Sequence, residues 1–251
     1  TKSKKITGAE ALIRWNHPKL KNIPPLDFIP LAEDNGMIYK IGKIVLRDAL
    51  KQANIWHKNG FDDLKISINI SGVQLLQSDI VSTIDEALKE SGFNPSFLEL
   101  ELTETVLMHN IELASDIMRK LAKRGIAFSI DDFGTGYSSF GYLSKLPLNT
   151  LKIDKSFIDH ITAKQNDLII TEAIISMAHS LNLEVIAEGV ENLDQYKLLS
   201  KKNCDTIQGY YFGTPLSAEK FTTLLKEGIK ESGTTDDIQI VDDGSLKEYK
   251  I

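Results

Sequence analysis

The 251-residue sequence predicts an α/β fold, a closed (β/α)8 barrel, on three observations. Strand-like and helix-like stretches alternate along the chain, which argues for a parallel sheet with helices outside it. The length is close to the roughly 250 residues that one such barrel needs. Nearly every strand carries one polar residue, mostly near its end, where barrels of this kind gather their functional groups.

The predicted strands are 7–15 (TGAEALIRW), 64–71 (LKISINIS), 97–103 (FLELELT) and 126–132 (IAFSIDD), then 150–156 (TLKIDKS), 183–189 (LEVIAEG) and 206–212 (TIQGYYF). A closed barrel has one more. The chain starts abruptly before the first strand and without Met, so the expectation is a fragment whose missing strand lies upstream. An open doubly wound sheet is the competing architecture, but no phosphate-binding glycine fingerprint follows the first strand. Between strands, helical spacing recurs. The segment ELASDIMRKLAKRG (112–125) stops at Gly125, as a C-terminal cap would require. In DLIITEAIISMAHSLN (167–182), Ile170, Ala173, Ile174, Met177, Ala178 and Leu181 form one predicted stripe. Past about residue 231 the composition turns polar and acidic, so residues 1–230 read as the barrel domain and 231–251 as a tail or linker.

Composition narrows the possibilities. The chain is 42% hydrophobic and 25% charged with a net charge of −6, ordinary for a soluble protein. No apolar run approaches the roughly 20 residues of a membrane span, and no signal peptide is visible. The 29 basic residues are thinly spread, so no nucleic-acid footprint for DNA or RNA is present. The single Cys204 excludes an internal disulfide framework and reads as a packed thiol. A reducing cytoplasm fits, whether for this chain alone or as the cytoplasmic part of a larger, membrane-anchored protein. The five histidines (His17, His57, His109, His160, His179) form no metal-binding pair, and no GxSxG elbow appears.

Glu10, Asn69, Glu101, Asp131, Lys152, Glu188 and Gln208 each interrupt an otherwise apolar strand. Alternate residues of a strand share a face, so if the aliphatic neighbours pack under the helices these polar side chains point into the barrel. Glu10, Glu101, Asp131, Asp132 and Glu188 would then share one mouth. Two like charges 4 Å apart cost about 4 kcal/mol at an effective dielectric of 20. Either some of these groups bind protons or cations sit among them. Carboxylates with one amide oxygen suit Mg2+ or Mn2+ and suit zinc poorly. Clustered carboxylates holding two metals are typical of phosphate-ester hydrolysis. Lys152 could serve a water or a phosphoryl oxygen, or simply pair with a neighbouring carboxylate.

The motifs GAEALIRWNHP, SINISGVQL, LELTET, IDDFGTGYSS, LKIDKSFI, IAEGVE and QGYYFGTPL follow one another from about residue 6 to 228. In order and spacing they resemble the EAL-domain family of cyclic di-GMP phosphodiesterases, with Glu10-Ala11-Leu12 as the signature. The resemblance implies a TIM-like barrel whose first strand is antiparallel and is absent here. It implies hydrolysis of cyclic di-GMP to linear pGpG with two Mg2+ or Mn2+ ions. Glu10, Asn69, Glu101 and Asp131 would hold one ion, and Asp131, Asp132 and Glu188 the other. Glu10, Lys152, Glu188 and Gln208 would carry catalysis, with Lys152 and Gln208 positioning water and the scissile phosphate. Leu12, Arg14, Asp154, Glu191 and Gln208 would meet substrate. Glu104 would anchor the loop after Asp132, through which a homodimer would form, and a sensor or cyclase domain would lie upstream. A catalytically silent receptor or scaffold is the alternative within the family. Thr214 departs from the pattern, standing where a basic residue is common.

Overall fold

The computed structural model describes residues 5–77, 79–104, 110–134 and 140–228. The expected tail at 231–251, the loop positions 135–139 and His109 lie outside them.

The chain opens with β1 (Gly8–Ala11) and a small antiparallel hairpin, β2 (Trp15–His17) and β3 (Lys21–Ile23). Then come β4 (Lys65–Asn69), β5 (Leu98–Thr103), β6 (Ala127–Phe133), β7 (Thr150–Ile153), β8 (Glu184–Ala187) and β9 (Thr206–Ile207). Apart from the hairpin, all are parallel and lie side by side in the order β1-β4-β5-β6-β7-β8-β9. This is the expected α/β, TIM-like barrel architecture, with seven strands among the described residues and β1 and β9 at its two open edges.

The period-two alternation builds it. In β5, Leu98, Leu100 and Leu102 are buried in the layer between sheet and helices, while Glu99 and Glu101 take the opposite, inward face. Ile130, Leu151, Ile153, Val185 and Ala187 join that outer layer. Helix 38–58 presents Leu46, Leu50, Ala53 and Trp56 to it, and helix 111–122 presents Ala114, Ile117, Met118 and Leu121. The second helix starts where the Asn110 side chain accepts from Leu113 N. It is followed by Gly125 in the left-handed region at φ 92°, as its sequence suggested.

Six of the seven predicted strands are shorter than expected, and four of them end for a local reason. The predicted strand 7–15 breaks at Leu12–Arg14, because the chain leaves the barrel mouth to enter the hairpin, where Trp15 packs edge-on against Phe28 at 5.4 Å. β7 ends at Ile153 because Asp154 caps helix 155–158. β8 ends at Ala187, before Gly189 turns the chain at φ 68°. β9 stops at Ile207, before Gly209 passes so close to Val190 that a Cβ would lie 2.3 Å from its backbone.

The predicted stripe of the helix at 165–180 is also corrected. Thr171, Ile174, Ile175 and Ala178 are buried, whereas Ile170 is 41% exposed and Ala173 faces out. The helix is apolar on more than one side, and its contacts with β7, β8 and helix 155–158 select the face.

Candidate functional site

Parallel register stacks the inward polar residues at the ends of their strands. Asn69 of β4 pairs with Glu101 of β5, and Thr103 with Asp131 of β6. Lys152 enters from β7, Glu188 follows β8, and Gln208 follows β9.

Lys152 Nζ stands among four carboxylates: Glu188 Oε1 at 2.6 Å, Glu101 Oε2 at 2.7 Å, Glu10 Oε2 at 3.5 Å and Asp131 Oδ1 at 3.7 Å. Glu10 is further held by amides, with Asn69 Nδ2 donating to Oε1 and Gln208 Nε2 to Oε2, each at 2.7 Å. Thus β1, β4, β5, β6, β7 and the segments after β8 and β9 all send a side chain to one point. The expectation that these residues face into the barrel agrees with this arrangement.

One ammonium does not balance the cluster. Burial, with the charges of Glu10 and Asp131, pushes Glu101 up to about 8 against the pull of Lys152. Burial and Asp131 likewise raise Glu188 to about 7. Burial would also raise Glu10, but the Lys152 charge and the Gln208 and Asn69 amides bring it below its ordinary value. Burial and the neighbouring Asp131 and Asp154 raise Asp132. Burial alone would lower Lys152, yet its four carboxylates hold it far above the usual lysine range.

Asp132 adopts a left-handed backbone at φ 54°, uncommon for a side chain other than glycine, and its N–H donates to Asp131 Oδ1 at 3.0 Å.

The donor set of carboxylates with one amide oxygen fits a hard divalent cation. With the side chains as placed, no group of three His, Cys, Asp or Glu among the described residues is arranged to hold a metal ion. The carboxylates instead close on Lys152, so metal binding would require them to swing away from it.

The other candidates lie around this centre. Leu12, 44% exposed, and Arg14, whose Nη1 donates to Ile13 O, line the same open cleft as Glu10, Glu188 and Gln208. Asp154 accepts from Ser156 N at 3.1 Å and so serves as a helix cap. Glu191 pairs with Lys155. Glu104 is buried, and its Oε2 accepts from Gly134 N at 3.4 Å, just past Asp132. Thr214 has a buried hydroxyl without a partner.

Sequence reasoning passed over Lys155. Its ammonium pairs with Glu191 and with Asp159 at 3.5 Å, and lies 6.0 Å from the ring centre of exposed Tyr210 at the cleft. Its spacing of three from Lys152 takes it out of the strand alternation that exposed the other residues. Cys204 is buried, as expected, and the described histidines are bound locally or exposed: His57 to Leu64 O, His17 to Lys19 N, His179 to Asp205, with His160 in solvent. No described helix is long and apolar enough to cross a membrane.

Comparison with known proteins agrees with the geometry. The family model described as the EAL domain matches residues 1–215. The signaling protein YkoW of Bacillus subtilis is 46% identical over 226 residues, covering 90% of this chain and 28% of that protein. The cyclic di-GMP phosphodiesterase NbdA of Pseudomonas aeruginosa is 44% identical over 217 residues, covering 86% of this chain and 28% of that protein. The chain therefore spans little more than a quarter of the length of these relatives. A solved structure described as the PaMucR phosphodiesterase in complex with c-di-GMP superimposes with a TM-score of 0.83 at 40% identity, covering 86% of this chain and 87% of that one. A family match over most of the sequence, on a barrel that gathers polar residues from its strand ends at one mouth, has one meaning: this chain belongs to the EAL domain family.

Proposed function

We propose that this chain hydrolyses cyclic di-GMP to linear pGpG in the cytoplasm, using Mg2+ or Mn2+. The observation that carries the proposal is the inward cluster in which Lys152 meets Glu10, Glu101, Asp131 and Glu188 within 3.7 Å at the strand ends. Relatives named as cyclic di-GMP phosphodiesterases at 44% and 36% identity support the substrate class.

Glu10, Asn69, Glu101 and Asp131 would hold one cation, and Asp131, Asp132 and Glu188 a second. Bound there, the pair supplies the Lewis acidity that makes water a nucleophile near neutral pH and steadies the leaving oxygen. The chain's own groups do the rest. Lys152, kept protonated by its carboxylates, donates to the attacking water or to a phosphoryl oxygen. Gln208 and Asn69 fix the Glu10 carboxylate from both sides. Arg14 pairs with a substrate phosphate at the cleft, and Leu12 contacts the substrate beside it. Asp154 and Glu191 add contacts at the rim, the latter through Lys155. Glu104 anchors the start of the loop after Asp132 through Gly134 N. A homodimer through that loop and an upstream sensor or cyclase domain belong to the same proposal.

The test is incubation with cyclic di-GMP and Mn2+, with pGpG followed by chromatography. Product should form with the native chain and disappear with Glu10→Ala. Ligand that is bound but recovered uncut would replace this reading with the silent-receptor one.

A further inference from the structure

Resting on that reading of the site, we infer that Glu99 and Thr150 are positioning residues, whose buried hydrogen bond holds β5 and β7 at the separation from which Glu101 and Lys152 act. Each stands two residues before its functional neighbour and so shares its inward face. Thr150 Oγ1 donates to Glu99 Oε2 at 3.1 Å, and Lys152 Nζ donates to Glu101 Oε2 at 2.7 Å. The two ties are parallel: both cross from β5 to β7 over β6, and both join residues 51 apart in sequence.

The lower tie is almost wholly buried, with Glu99 4% and Thr150 2% exposed at the floor of the cleft. Barrel interiors are ordinarily filled by branched aliphatic side chains, and a buried carboxylate is costly without hydrogen bonds. A polar pair at this depth therefore calls for a reason beyond filling space. The intervening strand gives one. Ser129 of β6 is in register with both Glu101 and Thr150, yet its buried hydroxyl has no partner. Just above it, the β6–β7 pairing is regular at Ile130–Leu151 and shifts register before Phe133–Ile153. The backbone ladder thus loses its regularity at the level of Asp131 and Lys152, and the side-chain tie beneath takes over the alignment.

Hydrogen bonds made behind a metal-holding side chain are typically worth tenfold or more in metal affinity or activity. Thr150→Val keeps the shape and removes the hydroxyl, and Glu99→Met removes the acceptor. Both should weaken Mn2+ binding, measured by calorimetry on the full chain, and lower kcat, each by about tenfold, with KM for cyclic di-GMP changed by less than about twofold. Thr150→Ser and Glu99→Gln, which keep a donor and an acceptor, should stay within about threefold of the native chain. Folded Thr150→Val or Glu99→Met with native Mn2+ affinity would overturn the inference. So would Thr150→Ser as impaired as Thr150→Val, since packing would then explain both. Should Thr150→Val not fold, Glu99→Met against Glu99→Gln decides in the same way. Mn2+ affinity is read without turnover, so a native chain that binds Mn2+ but cuts no cyclic di-GMP sinks the phosphodiesterase reading and leaves the tie to be judged on the metal alone.

Discussion

Lys152 Nζ lies 2.7 Å from Glu101 Oε2, and neither side chain is more than 1% exposed. A pair this dry loses much hydration and recovers it only through close mutual attraction. With Glu188 at 2.6 Å and Glu10 and Asp131 at the edge of contact, the ammonium is shared and carboxylate charge is in excess. That excess is the physical reason a cation would be favoured here once the carboxylates swing away from Lys152.

Lys152→Met tests this balance. Removing one partner of a buried ion pair strands the other, at a cost of about 3–5 kcal/mol. In chelator the variant should lose roughly that much stability, read by urea unfolding, and it should not turn over cyclic di-GMP. Mn2+ should raise its Tm more than that of the native chain, because bound cations replace the missing charge and stabilise by mass action. Native stability of the variant in chelator would contradict the electrostatic account.

The barrel was legible because its code is local. In LELELT, leucines and glutamates alternate, and sheet geometry alone sends Leu100 outward and Glu101 inward. The same rule exposed Asp131, Lys152 and Glu188, each beside an aliphatic neighbour. What depends on distant packing was not legible. TGAEALIRW reads as one strand, yet it breaks at Leu12 because Trp15 is drawn to Phe28. Adjacent isoleucines at 169–170 and 174–175 offer the helix at 165–180 two stripes, and contact with β7, β8 and helix 155–158 chooses between them. Spacing allowed Lys152 to pair with a neighbouring carboxylate but could not reveal that it would meet four of them, since that follows from several strands at once. The Glu99–Thr150 tie was hidden for the same reason.

Gly189 sets the turn that follows Glu188, with φ at 68°, and a Cβ there would lie 2.3 Å from Lys155 Cγ. Gly189→Ala therefore combines left-handed strain of about 1–2 kcal/mol with displacement of the lysine that pairs with Glu191. Gly60 is the control, since its φ is 94° and a Cβ would meet nothing within 4 Å. Thermal unfolding should show Gly189→Ala to be clearly the more damaging of the two, and phosphodiesterase turnover should fall in that variant alone. Equal losses of stability in both would mean that the contact with Lys155 is unimportant.

Cys204 offers a reading of the barrel wall that is independent of the site. Its Sγ lies 3.3 Å from Thr206 O and 3.6 Å from Val185 O, and burial, with the neighbouring Asp205 charge, pushes the thiol up to about 12. The thiolate is the reactive form, so the folded chain should not react with a disulfide reagent at pH 8, whereas the denatured chain should release one equivalent. The sign of the pH effect follows from linkage. Folded, the thiol holds its proton above the ordinary value of 9.0, so its stabilising contribution is complete below pH 9 and is lost as pH rises from there toward 12. By pH 10 the native chain should have lost about 1 kcal/mol that Cys204→Ala does not lose, measured as the difference in urea midpoints. Rapid labelling of the folded chain at pH 8 would show instead that the β8–β9 edge opens to solvent.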